Sequence, residues 1–151
     1  MTGTSHAITG ATIAAVVAQP AVALPLAFVS HYICDMIPHV GTKDVPPAES
    51  QAAANRIYLL DFGLICVFFG VLFLVNAPLV VLAGAFLAGI PDIVWFYRYI
   101  YKEKMLKIRP HAMNWFNAWH ARIQWSETLR YGIAVEVVYS SVLLAILFAK
   151  I

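Results

Sequence analysis

Ionisable side chains set in apolar surroundings carry whatever chemistry this chain performs: His6, His31, Asp35, His39, Asp61, Asp92, His120 and Glu136. A titratable group inside an apolar segment is costly, so a chain that keeps several has a use for them. His31 and Asp35 are four residues apart in His31-Tyr-Ile-Cys-Asp35, which on a helix places both on one face. Pro38 then stops that helix, with His39 directly behind it. Imidazole nitrogen with carboxylate oxygen is a donor set for Zn²⁺, and also for Mn²⁺ or Fe. The competing reading of H-x-x-x-D is a structural His–Asp hydrogen bond. The apolar setting and the following Pro-His-x-Gly favour the metal. Asp92 comes directly after Pro91, where a proline bends a helix and frees a carbonyl. It reads as a ligand facing the interior, against a carboxylate that merely satisfies the broken helix. His120 lies in a Trp-rich stretch, and His6 draws its claim from the company of the others. His111, after Pro110 in a basic stretch, reads as an exposed histidine. Asp61 and Glu136 read as groups that orient a ligand histidine or pair with Arg56 and Arg130.

The expected metal ligands are therefore His6, His31, Asp35, His39, Asp92 and His120, with His39 either a ligand or a support for one. This set exceeds the four donors of a structural zinc. It suits a divalent ion, zinc first with manganese or iron next, as a catalytic ion with an open water position or as two ions. Asp35, as bridge or base, and Asp92 are the expected catalytic carboxylates.

The elements that must position these groups follow from composition. Of 151 residues, 62% are hydrophobic and 12% charged, against about 45–50% and about 25% in soluble domains. That excludes disorder, a coiled coil and a basic nucleic-acid-binding domain. A net charge of +2 is too small to imply a polyanionic partner. The composition predicts a single integral membrane domain with membrane lipid as its environment. Cys34 and Cys66 lie in apolar runs and read as packing residues. The first ten residues lack a basic leader, so the first apolar stretch is expected to stay in the mature protein. There is no serine elbow, phosphate-binding glycine loop or nucleotide fingerprint.

Five apolar segments stand out, at about 6–18, 21–37, 58–75, 79–99 and 133–149. A span needs roughly 20 apolar residues. The last three qualify. The first is short and forms a half-span, a tilted helix or a hairpin with the second, broken near Pro20 and Pro25. Two polar stretches, 38–57 and 100–132, separate them. The second holds Lys102, Lys104, Lys107, Arg109, Arg122 and Arg130, which marks it as cytoplasmic. A hairpin through Asn76-Ala77-Pro78 brings 38–57 to the same side. Within 111–127, Ala112, Trp115, Phe116, Trp119 and Ile123 share one helical face. They predict an amphipathic helix at the headgroup level, or one packed on the bundle's cytoplasmic end. The predicted fold is all-α: a membrane bundle of four to five transmembrane helices plus this interfacial helix. In that arrangement every candidate site residue comes to one cytoplasmic face.

The motifs also resemble a known family. Thr4-Ser5-His6-Ala7-Ile8-Thr9-Gly10 is similar to the opening His-x-x-x-Gly of bacterial membrane-bound metal-dependent hydrolases, a family compared with zinc-dependent phospholipase C. His31 to Gly41 resembles its H-x-x-x-D motif, and more closely a group of small bacterial proteins with Ser-His-x-x-x-Asp-x-x-Pro-His. Gly89-Ile90-Pro91-Asp92 resembles its Pro-Asp motif. His120-Ala-Arg-Ile-Gln-Trp125 resembles the late histidine motif of the small group. The resemblance implies a hydrolase of the bacterial cytoplasmic membrane acting on a phospholipid or other lipid phosphoester. Arg109, Arg122 and Arg130 would contact phosphate or simply set topology. The alternatives are a non-catalytic metal-binding or proton-handling membrane protein, and a structural scaffold.

Overall fold

The computed structural model describes residues 1–17, 19–97 and 114–151. These form six helices: α1 (Gly3–Val17), α2 (Pro20–Asp35), α3 (Pro47–Leu74), α4 (Leu79–Tyr97), α5 (Asn114–Ile123) and α6 (Leu129–Phe148). The architecture is all-helical, and one isolated bridge, His39 with Ser126, is the strand-like pairing among the described residues.

Helix α1 is the central element. Every residue from Ser5 to Thr12 is buried, as is Ala14, and α1 packs against α2, α3, α4 and α6. Small side chains permit this. Ala7, Ala11, Ala14, Ala85 and Ala88 are buried along the α1–α4 seam. At its tightest point a Cβ on Gly10 would sit 2.2 Å from the Gly84 carbonyl oxygen. Glycine at both positions lets the two backbones touch. The hydroxyls of Thr9 and Thr12 bond the Ser5 and Ile8 carbonyls of their own helix, at 2.7 and 2.8 Å, so polar side chains enter the core already satisfied.

Two helices among the described residues are long and apolar enough to cross a membrane, α3 and α6. The most apolar window of each is mostly unburied, 11% and 17% inside the fold. Phe62, Leu64 and Val67 on α3, with Val137 and Val138 on α6, all point outward. Helices α2 and α4 are apolar but shorter.

Several boundaries differ from the expected ones. Helix α3 begins at Pro47, so much of the expected loop 38–57 is helical. Proline suits the first position of a helix, and the alanines that follow, Ala52 to Ala54, propagate it. Helix α2 runs unbroken through Pro25 and stops at Asp35, since Pro38 keeps the preceding residue out of helical geometry. The break expected nearby falls before Pro20, which occupies the first turn of α2. The α3–α4 hairpin turns on Asn76 in the left-handed region, φ 52°, with Ala77 N–H bonding the Leu72 carbonyl at 2.9 Å. Helix α5 ends at Ile123 and does not extend to 127, because residues 125–127 pair their backbone with 35–39. Ala112, His111, Arg109 and the lysines at 102, 104 and 107 lie outside the described residues.

Candidate metal centre

Helices α1, α2, α4 and α5 deliver one or two side chains each to a single point. His6 opens α1, His31 and Asp35 close α2, Asp92 follows the proline of α4, and His120 stands on α5. His6, His31, Asp35 and His120 are fully buried, and the Asp92 side chain is 35% exposed. Asp35 is the hub. His6 Nε2 lies 3.2 Å from its Oδ1, and His31 Nε2 and His120 Nε2 lie 3.4 and 2.6 Å from its Oδ2. The Nε2 atoms of His31 and His120 are 3.3 Å apart. Asp92 faces the same point, with Oδ2 4.0 Å from His6 Nε2 and Oδ1 3.7 Å from His31 Nε2. The His6 and His31 rings stack, centroids 3.9 Å apart.

The tautomer of His31 is fixed from behind. Its Nδ1–H donates to the Ala88 carbonyl at 2.8 Å, which leaves Nε2 with a lone pair turned inward. Pro91 lacks the N–H that would engage the Leu87 carbonyl, and in that weakened turn the next carbonyl takes the imidazole proton. A ring held this way is the usual support of a metal-bound histidine. His6, His31 and Asp35 offer donor atoms that all lie within 4.8 Å of one another. Two ligands each about 2.1 Å from one ion stand roughly 3.0–3.4 Å apart, so the donor separations fit a metal. His6, His31 and Asp35 can hold an ion.

The backbone beside this cluster is equally specific. Trp125 N–H bonds the Asp35 carbonyl at 2.9 Å, His39 N–H bonds the Trp125 carbonyl at 3.1 Å, and Glu127 N–H bonds the His39 carbonyl at 2.9 Å. This short ladder ties the segment after α5 to the end of α2 and so holds His120 over Asp35. His39 takes part through its main chain. Its ring donates Nδ1–H to the Ile37 carbonyl at 2.8 Å and makes no bond to the cluster. Burial, then the nearby Met1 ammonium, pushes its imidazole below the ordinary value. Glu127, at the surface, is held below its ordinary value by Trp125 Nε1–H and then by Lys43.

Asp61 and Glu136 pair with neither Arg56 nor Arg130 among the described residues. They anchor the start of α1 instead. Asp61 accepts the N–H groups of Gly3 and Thr4 at 2.8 and 2.9 Å and the Thr4 hydroxyl at 2.6 Å. This cap comes from another helix and satisfies the exposed donors of α1. Glu136 accepts the Thr2 N–H at 3.1 Å, the Thr2 hydroxyl, the Ser5 hydroxyl at 2.7 Å and the Val40 N–H at 2.9 Å. Both carboxylates thus place His6.

Three features have no clear sequence signal. The Met1 amino group contacts Asp35 Oδ1 inside the fold. The Cys34 thiol sits 3.2 Å from the Tyr139 hydroxyl, which is 3.0 Å from Thr9. His6 Nδ1 is buried with no partner at hydrogen-bond distance among the described residues, and the Cys34 thiol is its polar neighbour. Only the spacing of Ser5, Thr9 and Thr12 on α1 hints at a polar stripe. Comparison with known protein families, curated proteins and solved structures yields no match.

Proposed function

We propose that this protein is a membrane-embedded metal-dependent hydrolase whose site opens at the cytoplasmic face. The observation that carries the proposal is the convergence of three imidazole Nε2 atoms on the two oxygens of Asp35, at 2.6–3.4 Å. A hydrogen-bonded helix contact needs one such pair. Polar contacts between membrane helices contribute only about 0.6 kcal/mol on average, so five ionisable groups gathered at one point exceed what packing requires.

His6, His31, His120, Asp35 and Asp92 hold the ion, with zinc the first choice for an imidazole–carboxylate set. A bound divalent ion supplies Lewis acidity, lowering the pKa of a water toward about 7. The chain's own residues do the rest. Asp35 is buried, bonded on both oxygens, and orients the imidazoles. Asp92 is the member of the set that reaches the surface, so it is placed to take a proton from water and pass it outward. The substrate class is a lipid phosphoester, on the resemblance of the His-x-x-x-Asp, Pro-Asp and late histidine motifs to membrane-bound hydrolases.

The membrane reading rests on the outward apolar faces of α3 and α6, joined by α4 and the α1–α2 pair to make four to five spans. The basic residues in the sequence between α4 and α6 support a cytoplasmic site. The test is elemental analysis of detergent-purified protein beside His31→Ala. Bound zinc, manganese or iron that is lost in the variant, with lipid phosphoester hydrolysis lost alongside, is the expected result. No metal in the wild type after supplementation refutes the proposal.

A further inference from the structure

We infer that Cys34 is a positioning residue for His6. Its sulfur takes the ring's Nδ1–H and so keeps Nε2 for the cluster, a role that rests on the metal reading above only for what Nε2 then binds. Which nitrogen of an imidazole is left for a ligand is set by the hydrogen bond the other one makes. For His31 the partner is the Ala88 carbonyl. For His6 it is the head of a row of side chains on α1, α2 and α6 whose hydrogen bonds run one way.

The far end fixes that direction. The Ser5 carbonyl can only accept, and the Thr9 hydroxyl donates to it at 2.7 Å. A hydroxyl has one proton, so Thr9 Oγ1 faces Tyr139 as an acceptor, and the Tyr139 hydroxyl donates to it at 3.0 Å. The Tyr139 oxygen is then the acceptor for the Cys34 thiol at 3.2 Å, and Thr9 Oγ1 offers the same S–H a longer second contact at 3.7 Å. With its proton committed there, the sulfur has lone pairs left for His6 Nδ1. Both side chains are shut away from solvent, His6 wholly and Cys34 to within 2%. Nδ1 has no other partner at hydrogen-bond distance among the described residues, and the Cys34 thiol is its polar neighbour. A proton on Nδ1 therefore completes the row, whereas a bare Nδ1 would set nitrogen and sulfur lone pairs against each other. The Met1 ammonium meets the cluster at Asp35 Oδ1, on the Nε2 side, and leaves Nδ1 to the sulfur. Because the row ends on a carbonyl, which has no proton to pass on, it holds the ring and does not conduct protons.

The test joins nitrogen-15 NMR of the His6 ring, in zinc-free full-length protein in detergent, to zinc titration of Cys34→Ala and Cys34→Ser. A proton on Nδ1 is expected in the wild type. Cys34→Ala should move it to Nε2 and weaken zinc binding about 10–100-fold. Cys34→Ser, which keeps an acceptor and a donor in the same order, should recover part of both. In a Cys66→Ala background, where Cys34 is the one thiol, Tyr139→Phe should shift the infrared S–H stretch. A wild-type ring protonated on Nε2 alone overturns the inference. So does a Cys34→Ala variant with the wild-type tautomer and zinc affinity, or an S–H stretch that ignores Tyr139→Phe. A wild type that binds no zinc refutes the metal reading and leaves the ring's tautomer to decide this inference alone. If Cys34→Ala does not fold, the wild-type tautomer and the S–H stretch decide it.

Discussion

Glu136→Gln is the most informative single change outside the cluster. The side chain accepts from Thr2 N–H, Thr2 Oγ1–H and Ser5 Oγ–H on Oε2, and from Val40 N–H on Oε1. A carboxylate accepts at both oxygens, whereas a carboxamide accepts at one and donates from the other. The best a glutamine can do is to keep its oxygen on the three-donor side. Its NH₂ then faces the Val40 N–H, donor against donor. Leaving a buried donor unsatisfied costs about 1–3 kcal/mol, and because Val40 is half-buried the lower figure applies. The other three bonds lose their charge assistance, a drop of roughly 1 kcal/mol each. The sum is about 4 kcal/mol, or about 8–16 °C of melting temperature for a chain of this size.

The same change reaches the metal. Glu136 holds the turn from Thr2 to Ser5, immediately ahead of His6, and removing a support behind a ligand typically weakens metal affinity about 10–100-fold. Thermal unfolding in detergent and zinc titration read the two effects separately. A variant that melts within about 2 °C of the wild type and binds zinc equally would refute this account. Glu136 would then not be what positions α1.

Three further changes follow from the same packing. Gly10→Ala should cost about 1–3 kcal/mol by overpacking, since the new Cβ would lie 2.2 Å from the Gly84 carbonyl, whereas Gly70→Ala, inside α3 with open space around it, should cost nothing and raise stability by up to about 1 kcal/mol. Zinc at 100 times its dissociation constant should stabilise the protein by about 2.7 kcal/mol; a chelator should reverse the shift, and a response persisting in His31→Ala would place the ion elsewhere. Burial holds His39 below its ordinary value, so the unfolded chain takes up the proton first. The contribution of His39 to stability should therefore be constant above about pH 6.5 and fall as pH drops below it. His39→Asn should flatten that acid limb, and an identical slope would mean the ring is not what titrates.

What the sequence makes legible is local. The i, i+4 spacing puts His31 and Asp35 on one face, and Pro91 flags Asp92, because both rest on helix geometry alone. The hairpin at Asn76 rests on a residue that tolerates positive φ. For Asp61 and Glu136 the sequence leaves two readings open, support for a ligand histidine or pairing with Arg56 and Arg130. A carboxylate near an arginine in sequence suggests an ion pair, yet these two cap a helix three-dimensionally adjacent and distant in the chain. His39 is legible only in part. Its position behind Pro38 resembles that of a ligand, but the backbone ladder with Trp125 and Glu127 is a long-range pairing with no periodic signature. The same ladder overrides the helical pattern after Ile123.

If the helices lie in a bilayer as proposed, their lengths set how deep the site lies. Helices α1 and α2 have 15 and 16 residues, so they reach about 22 and 24 Å, short of a hydrocarbon layer of about 30 Å. Helix α3 has 28 residues and reaches about 42 Å, so it overshoots the same layer. Asp61 on α3 caps the first turn of α1 and therefore marks the level of His6. From Asp61 to Leu74 is about 20 Å along the helix. If the Asn76 turn marks the far edge of the hydrocarbon, the site lies about 10 Å inside the near edge. At that depth the cluster would lie among the upper acyl chains, so the phosphoester of the proposed lipid substrate would have to move inward to reach it, on the side where Asp92 is exposed. Trp119, exposed on α5 with its ring tilted against Tyr32 at a centroid distance of 5.3 Å, reports the level. In a variant keeping Trp119 as its one tryptophan, lipids brominated high on the acyl chain should quench its fluorescence more than lipids brominated near the chain end. Quenching by an aqueous quencher alone would put the site above the bilayer and remove the reason for a lipid substrate.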